Sequence, residues 1–145
     1  MTQEAKTHYE VIVVGAGVAG IYQIKRLVDL GIDAVVLDSA ADLGGTWYWN
    51  RYPGCRFDSE SYTYGFSFSR ELLDEWHWKE RFSSQPENLR YLNYVADKFD
   101  LRRHMVMPTP TAGPLIAAIE GFRQLKIAST KRPLRVPELE NTPAP

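Results

Sequence analysis

The sequence of 145 residues contains one cysteine, Cys55. A single thiol excludes an internal disulfide framework and any paired-cysteine zinc or redox motif, and it suits a reducing compartment, so a cytoplasmic location is expected. An excess of charge of one sign is missing too, because 17 Lys and Arg face 18 Asp and Glu for a formal net charge of -1. That balance gives no basic field for nucleic acid and no polybasic patch for a membrane surface. Long hydrophobic runs are absent: the apolar stretch from Val11 is soon interrupted by glycine, so neither a transmembrane helix nor a signal peptide is expected. The histidines His8, His77 and His104 are too scattered to suggest a metal site.

What is present is one domain's worth of chain, 44% hydrophobic and 24% charged, a composition that folds around a core. The composition breaks near Met105. Seventeen of the 18 aromatic residues precede that point and seven of the nine prolines follow it, so the two stretches have different structural jobs. Residues 1–105 read as the folded part. Residues 106–145 read as a divergent, proline-rich, irregular tail with one short helix around Leu115 to Leu125. The break is expected to reflect a frameshift, a truncation or a gene-model error rather than a genuine tail.

Within the folded part, Tyr9 to Val14 is a β-branched run ended by glycine, the pattern of a strand buried on both faces of a parallel sheet. From Val18 to about Leu30 the residues Ile21, Ile24, Leu27, Val28 and Leu30 recur at helical spacing, with Gly31 placed to stop the helix. Ala34 to Leu37 is a second strand, ending on Asp38, which completes a strand-helix-strand unit of α/β type. A further helix spans about Glu87 to Phe99. There Ser84 and Glu87 have capping-box spacing, Pro86 lies in the first turn, and Lys98 suits the C-terminal dipole. Residues 42–83 read as loops with short helical or extended pieces, and a loop that long normally wraps something.

The sharpest signal is Gly15-Ala16-Gly17-Val18-Ala19-Gly20 between the first strand and helix. A dinucleotide needs Gly15 for the tight turn, Gly17 for close approach of the pyrophosphate and Gly20 for helix-strand packing, while the helix N-terminus supplies N–H groups. Asp38, eighteen residues after Gly20, is placed to accept hydrogen bonds from ribose hydroxyls. The alternative is a glycine turn that merely permits tight packing. A carboxylate at this place disfavours a 2′-phosphate, so FAD or NAD fits better than NADP.

Then follows Gly44-Gly45-Thr46-Trp47-Tyr48-Trp49-Asn50-Arg51-Tyr52-Pro53-Gly54-Cys55-Arg56-Phe57-Asp58. Its flat rings suit either a wall for an extended cofactor or an aromatic cluster under a loop, and the residue types alone leave both readings open. This stretch, so soon after GxGxxG, closely resembles the N-terminal segment of Baeyer-Villiger monooxygenases, FAD- and NADPH-dependent flavoproteins. The resemblance runs on through Trp76-His77-Trp78, Ser84-Gln85-Pro86-Glu87 and Tyr94 to Leu101, and so covers about residues 9–104. It implies a Rossmann-like FAD-binding unit with a parallel sheet, incomplete as a domain. It implies that Gly15, Ala16, Gly17 and Gly20 hold the FAD pyrophosphate, that Asp38 binds the adenosine ribose, and that Gly45, Thr46, Trp47, Asp58 and Tyr64 line the flavin. Arg56, Phe57 and Asp58 match a segment that also meets NADPH, and Asp58 matches a residue that orients an arginine beside the flavin. The implied reaction is oxidation of a small-molecule ketone to an ester or lactone. Cys55, where the family often has a small residue, is expected simply to pack.

After Met105 the resemblance stops, and neither a second GxGxxG nor the motif FxGxxxHxxxWP follows. The isolated chain is therefore expected to be inactive as a monooxygenase, binding FAD at most. A chain that supplies the missing half is a conceivable partner, and a non-catalytic dinucleotide-binding module is the alternative function.

Overall fold

The computed structural model describes residues 8–107. Of the expected tail, Val106 and Met107 fall within that range, and the helix anticipated around Leu115 to Leu125 lies outside the described residues. Strand β1 (Val11–Val14) feeds helix α1 (Val18–Asp29), which returns to β2 (Ala34–Leu37). A short β3 (Met105–Val106) completes a three-stranded sheet in the order β1-β2-β3, with every pairing parallel. The sheet runs through Val106, one residue past the compositional break. The fold is the expected α/β, Rossmann-like unit.

Register explains the core. Val13 lies opposite Val36, and both join Ile21 and Ile24 of α1 in the main apolar cluster. α1 ends as its sequence requires: the Leu30 and Gly31 N–H groups donate to the carbonyls of Arg26 and Val28, and Gly31 takes φ +69°, a left-handed conformation that glycine adopts without penalty. The first strand departs from expectation, however. It is not buried on both faces, since Ile12 is 38% exposed and Val14 75% exposed, while Val13 is buried. Side chains alternate across a strand, and no described element covers the face of β1 opposite α1. β2 is buried at all four positions.

Residues 42–83 contain three short helices, α2 (Thr46–Trp49), α3 (Ser61–Tyr64) and α4 (Arg70–Glu75). Polar pins hold the loops between them. The buried Ser61 hydroxyl donates to the Glu80 carbonyl at 2.7 Å and accepts from the Ser83 N–H at 2.8 Å, and the Phe57 N–H donates to the Ser83 carbonyl at 3.0 Å. Helix α5 (Gln85–Lys98) buries Leu92, Val95 and Ala96. Its capping box does not form: Ser84 makes no side-chain cap, and the buried Glu87 carboxylate instead accepts from the Lys79 N–H at 3.0 Å. The loop that crosses the helix start has claimed the capping acid. Lys98 sits in the last turn as expected, and its ammonium reaches Glu71 at 2.9 Å and Glu75 at 2.8 Å on α4. A 3-10 turn (Arg102–His104) then leads into β3.

Tyr91 of α5 is the largest fully buried side chain, and its hydroxyl oxygen accepts the Phe66 N–H at 2.6 Å. Burial is the main cause that pushes its phenol up to about 12. A raised folded value means that the neutral form is favoured by folding. Its contribution is therefore complete below the unfolded value near 10 and is lost as pH rises through 12. We expect stability to fall between those limits by up to about 2–3 kcal/mol on this account, with a shallower fall in Tyr91→Phe, read by urea unfolding at stepped pH. Equal slopes in the two proteins would remove Tyr91 from this role.

Candidate dinucleotide cradle

The turn from β1 into α1 is fixed by three contacts. The Gly15 N–H donates to the Leu37 carbonyl at 2.7 Å, the Ala16 N–H donates to Asp38 Oδ2 at 2.5 Å, and the Ala16 carbonyl accepts the Gly44 N–H at 2.9 Å. Gly15 takes φ +99°, which favours glycine. At Gly20 no side chain fits, because a Cβ would stand 1.8 Å from the Gly15 carbonyl oxygen. Helix and turn therefore approach as closely as backbones can. Gly17 caps α1 without any side-chain cap, and the first turn carries no acidic residue. The N–H groups of Val18, Ala19 and Gly20 precede the first intrahelical bond, from Ile21 to the Gly17 carbonyl, so they face outward as an anion-binding end.

This geometry fits a pyrophosphate: glycines where side chains would obstruct, free amide donors, and the positive end of a twelve-residue helix. Asp38 lies beside it, 8% exposed. Its two oxygens accept backbone N–H groups, Oδ2 from Ala16 and Oδ1 from Ala40 at 2.8 Å. Asp38 thus locks the end of β2 to the glycine turn. Each oxygen retains a further lone pair for a ribose hydroxyl.

Gly45, with φ +52°, brings its backbone against Gly17, where a Cβ on Gly45 would stand 2.8 Å from the Gly17 Cα. The Gly44-Gly45 turn therefore belongs to the cradle. Beyond it the predicted residues separate. Thr46 is exposed at the start of α2, whereas Trp47 is buried and donates its indole N–H to the Tyr64 hydroxyl at 2.5 Å. Phe57 and Tyr64 pack on each other with ring centroids 4.2 Å apart, and both lie edge-on to Trp47 at 6.1 Å. These three rings form a cluster. Burial also raises the Tyr64 phenol, partly countered by the Trp47 indole. Arg56 turns outward to an ion pair with Glu80. Asp58 is exposed and has no hydrogen-bond or ion-pair partner among the described residues.

One contributor was not singled out by the sequence reading. The buried Gln85 side chain donates to the Trp47 carbonyl and ties α5 to α2. Apart from its place in the resembling stretch Ser84-Gln85-Pro86-Glu87, its signal in the sequence is a position at a helix start, where an amide would ordinarily be solvated. A separate groove of about 880 Å³ runs along the start of α5 past Trp76, Lys79 and Arg90, and none of the predicted site residues lines it. Among the described residues no helix is long and apolar enough to cross a membrane, and no cluster of three metal-ligating side chains occurs.

Residues 13–76 match the model for the NAD(P)-binding Rossmann-like domain. The chain is 49% identical over 105 residues to 2-oxo-Delta(3)-4,5,5-trimethylcyclopentenylacetyl-CoA monooxygenase of Pseudomonas putida, a match covering 72% of this chain and 19% of that protein. It is 48% identical over 103 residues to the methyl acetate-forming acetone monooxygenase of Gordonia sp. (strain TY-5), covering 71% and 19%. Among solved structures, an oxidized steroid monooxygenase bound to NADP superposes with a TM-score of 0.69 at 52% identity, over 70% of this chain and 19% of that one. An FAD-bound form of OTEMO superposes with a TM-score of 0.65 at 47% identity, over 71% and 19%. The chain thus spans about a fifth of the length of the relatives it matches.

The double acceptor role of Asp38 generates a prediction. Asp38→Ala leaves two backbone N–H groups without acceptors and should lower stability by about 2–4 kcal/mol with no nucleotide present, measured by urea unfolding. Unchanged stability would show that the carboxylate matters only to a ligand.

Proposed function

We propose, on the premise that the front of this chain belongs to the Baeyer-Villiger monooxygenase family, that the chain is the FAD-binding portion of an NADPH-dependent flavin monooxygenase acting on ketones. The observation that carries this reading is the glycine cradle at the start of α1, built with backbone donors and no room for side chains. Bound there, FAD would supply oxidation-reduction chemistry, and the protein supplies position and electrostatics. The N–H groups of the first turn of α1 hold the pyrophosphate, with Gly15, Ala16, Gly17 and Gly20 shaping the approach and Gly45 closing its side. Asp38 offers its remaining lone pairs to the ribose while it fixes the turn. Thr46, Trp47 and Tyr64 are assigned to the flavin, with Phe57 packed against Trp47 and Tyr64. Asp58, exposed and unpaired among the described residues, is assigned an orienting role toward a cationic group beside the ring, and Arg56, which pairs with Glu80, is assigned with Phe57 and Asp58 to the nicotinamide cofactor.

The sequence has one GxGxxG motif and no second one to hold NADPH. The chain by itself is therefore assigned FAD binding without turnover, and the ester- or lactone-forming step is assigned to a protein that includes the nicotinamide site. A chain that supplied further strands would pair along the edge of β1 that no described strand occupies, and its own elements would cover the face from which Ile12 and Val14 project. The single thiol, buried at Cys55, fits a cytoplasmic home.

Gly17→Ala tests the assignment without confounding it with folding. A methyl group there meets the Gly45 Cα at 3.4 Å and the Gly45 nitrogen at 3.9 Å, both ordinary contacts, and φ at Gly17 is -82°, open to any residue. The substitution should leave the unfolding midpoint in place yet weaken FAD binding by about tenfold or more, roughly 1.4 kcal/mol, in a fluorescence titration. Equal FAD affinity in the two proteins would refute the cradle assignment.

A further inference from the structure

The aromatic rings of this chain do more than fill a core: they make a connected path. Trp47, on α2 beside the cradle, hydrogen-bonds Tyr64 with centroids 6.1 Å apart. Tyr64 lies 6.4 Å from Trp78, Trp78 lies 5.7 Å from Trp76, and Trp76 lies 5.4 Å from Tyr94. Tyr91 flanks the middle of the path, 4.9 Å from Trp78 and 5.1 Å from Trp76. No step exceeds 6.4 Å between ring centroids. The outer end is chemically distinct from the rest, because the Tyr94 hydroxyl donates to the Glu75 carboxylate, which Lys98 holds at 2.8 Å at the surface.

We propose that Trp47, Tyr64, Trp78, Trp76 and Tyr94 form a relay that carries an oxidising equivalent from the cradle to the protein surface and parks it on Tyr94. Indole and phenol are among the side chains most readily oxidised by one electron, the phenol with loss of its proton, and close ring contacts let electrons pass between them. Protons decide where the oxidising equivalent stops. The Trp76 indole N–H is buried with no acceptor among the described residues, so an oxidised Trp76 has no described group to take its proton and takes an electron from its neighbour instead. Tyr94 has an acceptor in place. Lys98 keeps Glu75 ionised, so the carboxylate stands ready for the phenolic proton.

The sequence of events balances. A one-electron oxidant beside Trp47, by class a photo-excited isoalloxazine, would take one electron from Trp47. Trp47 is refilled from Trp78 across Tyr64, Trp78 from Trp76, and Trp76 from Tyr94, whose proton passes to Glu75 as its electron leaves. The oxidant has gained one electron, Tyr94 has lost an electron and a proton, and Glu75 holds that proton. A thiol in solution then returns a hydrogen atom to Tyr94, becoming a thiyl radical, and Glu75 releases its proton to water. A flavin that performs oxygen chemistry beside a protein wall gains from such an exit, since a misdirected oxidant would otherwise damage the residues nearest to it.

The relay rests on ring geometry and does not depend on retention of FAD, so the two readings can fail separately. The test uses azide radical, a one-electron oxidant of tryptophan, generated by pulse radiolysis on the whole chain. Trp49 is 61% exposed and lies outside the relay, so the measurement is made in Trp49→Phe, where the three remaining tryptophans are all relay members. The tryptophanyl absorption should decay as tyrosyl absorption grows, at a rate independent of protein concentration. Tyr94→Phe in that background should lose the tyrosyl signal and prolong the tryptophanyl one. Glu75→Gln should slow the conversion and change its solvent deuterium effect, while Tyr52→Phe, at an exposed tyrosine off the path, should leave it unaltered. An undiminished tyrosyl yield in Tyr94→Phe, or a rate that scales with protein concentration, overturns the proposal.

Discussion

The structure depends on the tight turn between β1 and α1, and on the pair of bonds that hold it to the end of β2: Gly15 to the Leu37 carbonyl and Ala16 to the Asp38 carboxylate. A left-handed glycine alone would leave the chain free to adopt many paths. The two bonds select one of them and aim the start of α1 at the space beyond the sheet. Because Asp38 also accepts the Ala40 N–H, the same carboxylate directs the chain as it leaves β2. Carbonyl and carboxylate therefore shape the turn without help from a ligand, which is the preorganisation that the proposed site on backbone amides requires.

Around this centre the long segment between β2 and α5 behaves as a wrapped strap rather than as a loose loop. Its helices are too short to be stable alone, and tertiary bonds fix them instead. Ser61 and Ser83 bind each other and the strap backbone, Gln85 reaches the Trp47 carbonyl, and Tyr91 receives the Phe66 N–H. Each of these groups is buried, so each bond also removes the cost of an unsatisfied polar atom. Helix α5 thus acts as the post to which the strap is tied, and its own apolar face joins the same core.

The strand-helix-strand unit was legible because its signals are local: β-branched runs, helical spacing at Ile21 and Ile24, and a stop at Gly31. The cradle was legible for the same reason, its glycines being required by backbone geometry within a few residues. The misreadings have a common cause in tertiary competition. Ser84 and Glu87 have the spacing of a capping box, yet a loop from outside the helix takes the glutamate, and nothing in those four residues announces it. The first strand has a composition suited to double burial, but burial is decided by what lies across from Ile12 and Val14. For the aromatic segment the sequence left a cofactor wall and a packed cluster equally open. Trp47, Phe57 and Tyr64 are packed against one another, while Thr46 and Asp58 remain at the surface, so residues from both descriptions are interleaved along one stretch.

The backbone contact between Gly17 and Gly45 has a consequence for how this segment can change over generations. The two backbones touch, and the constraint falls mainly on Gly45: a side chain there would meet the Gly17 Cα at 2.8 Å, in a conformation that already favours glycine, whereas a Cβ on Gly17 would stand 3.4 Å from the Gly45 Cα. The effects of substitution at the two positions are therefore not independent, and the tolerance of one is conditional on the other. Such coupling through a backbone contact is epistasis with a steric origin. It keeps two loops, 28 residues apart in the chain, evolving as a single object, and variation is channelled away from the turn and into the exposed positions around it.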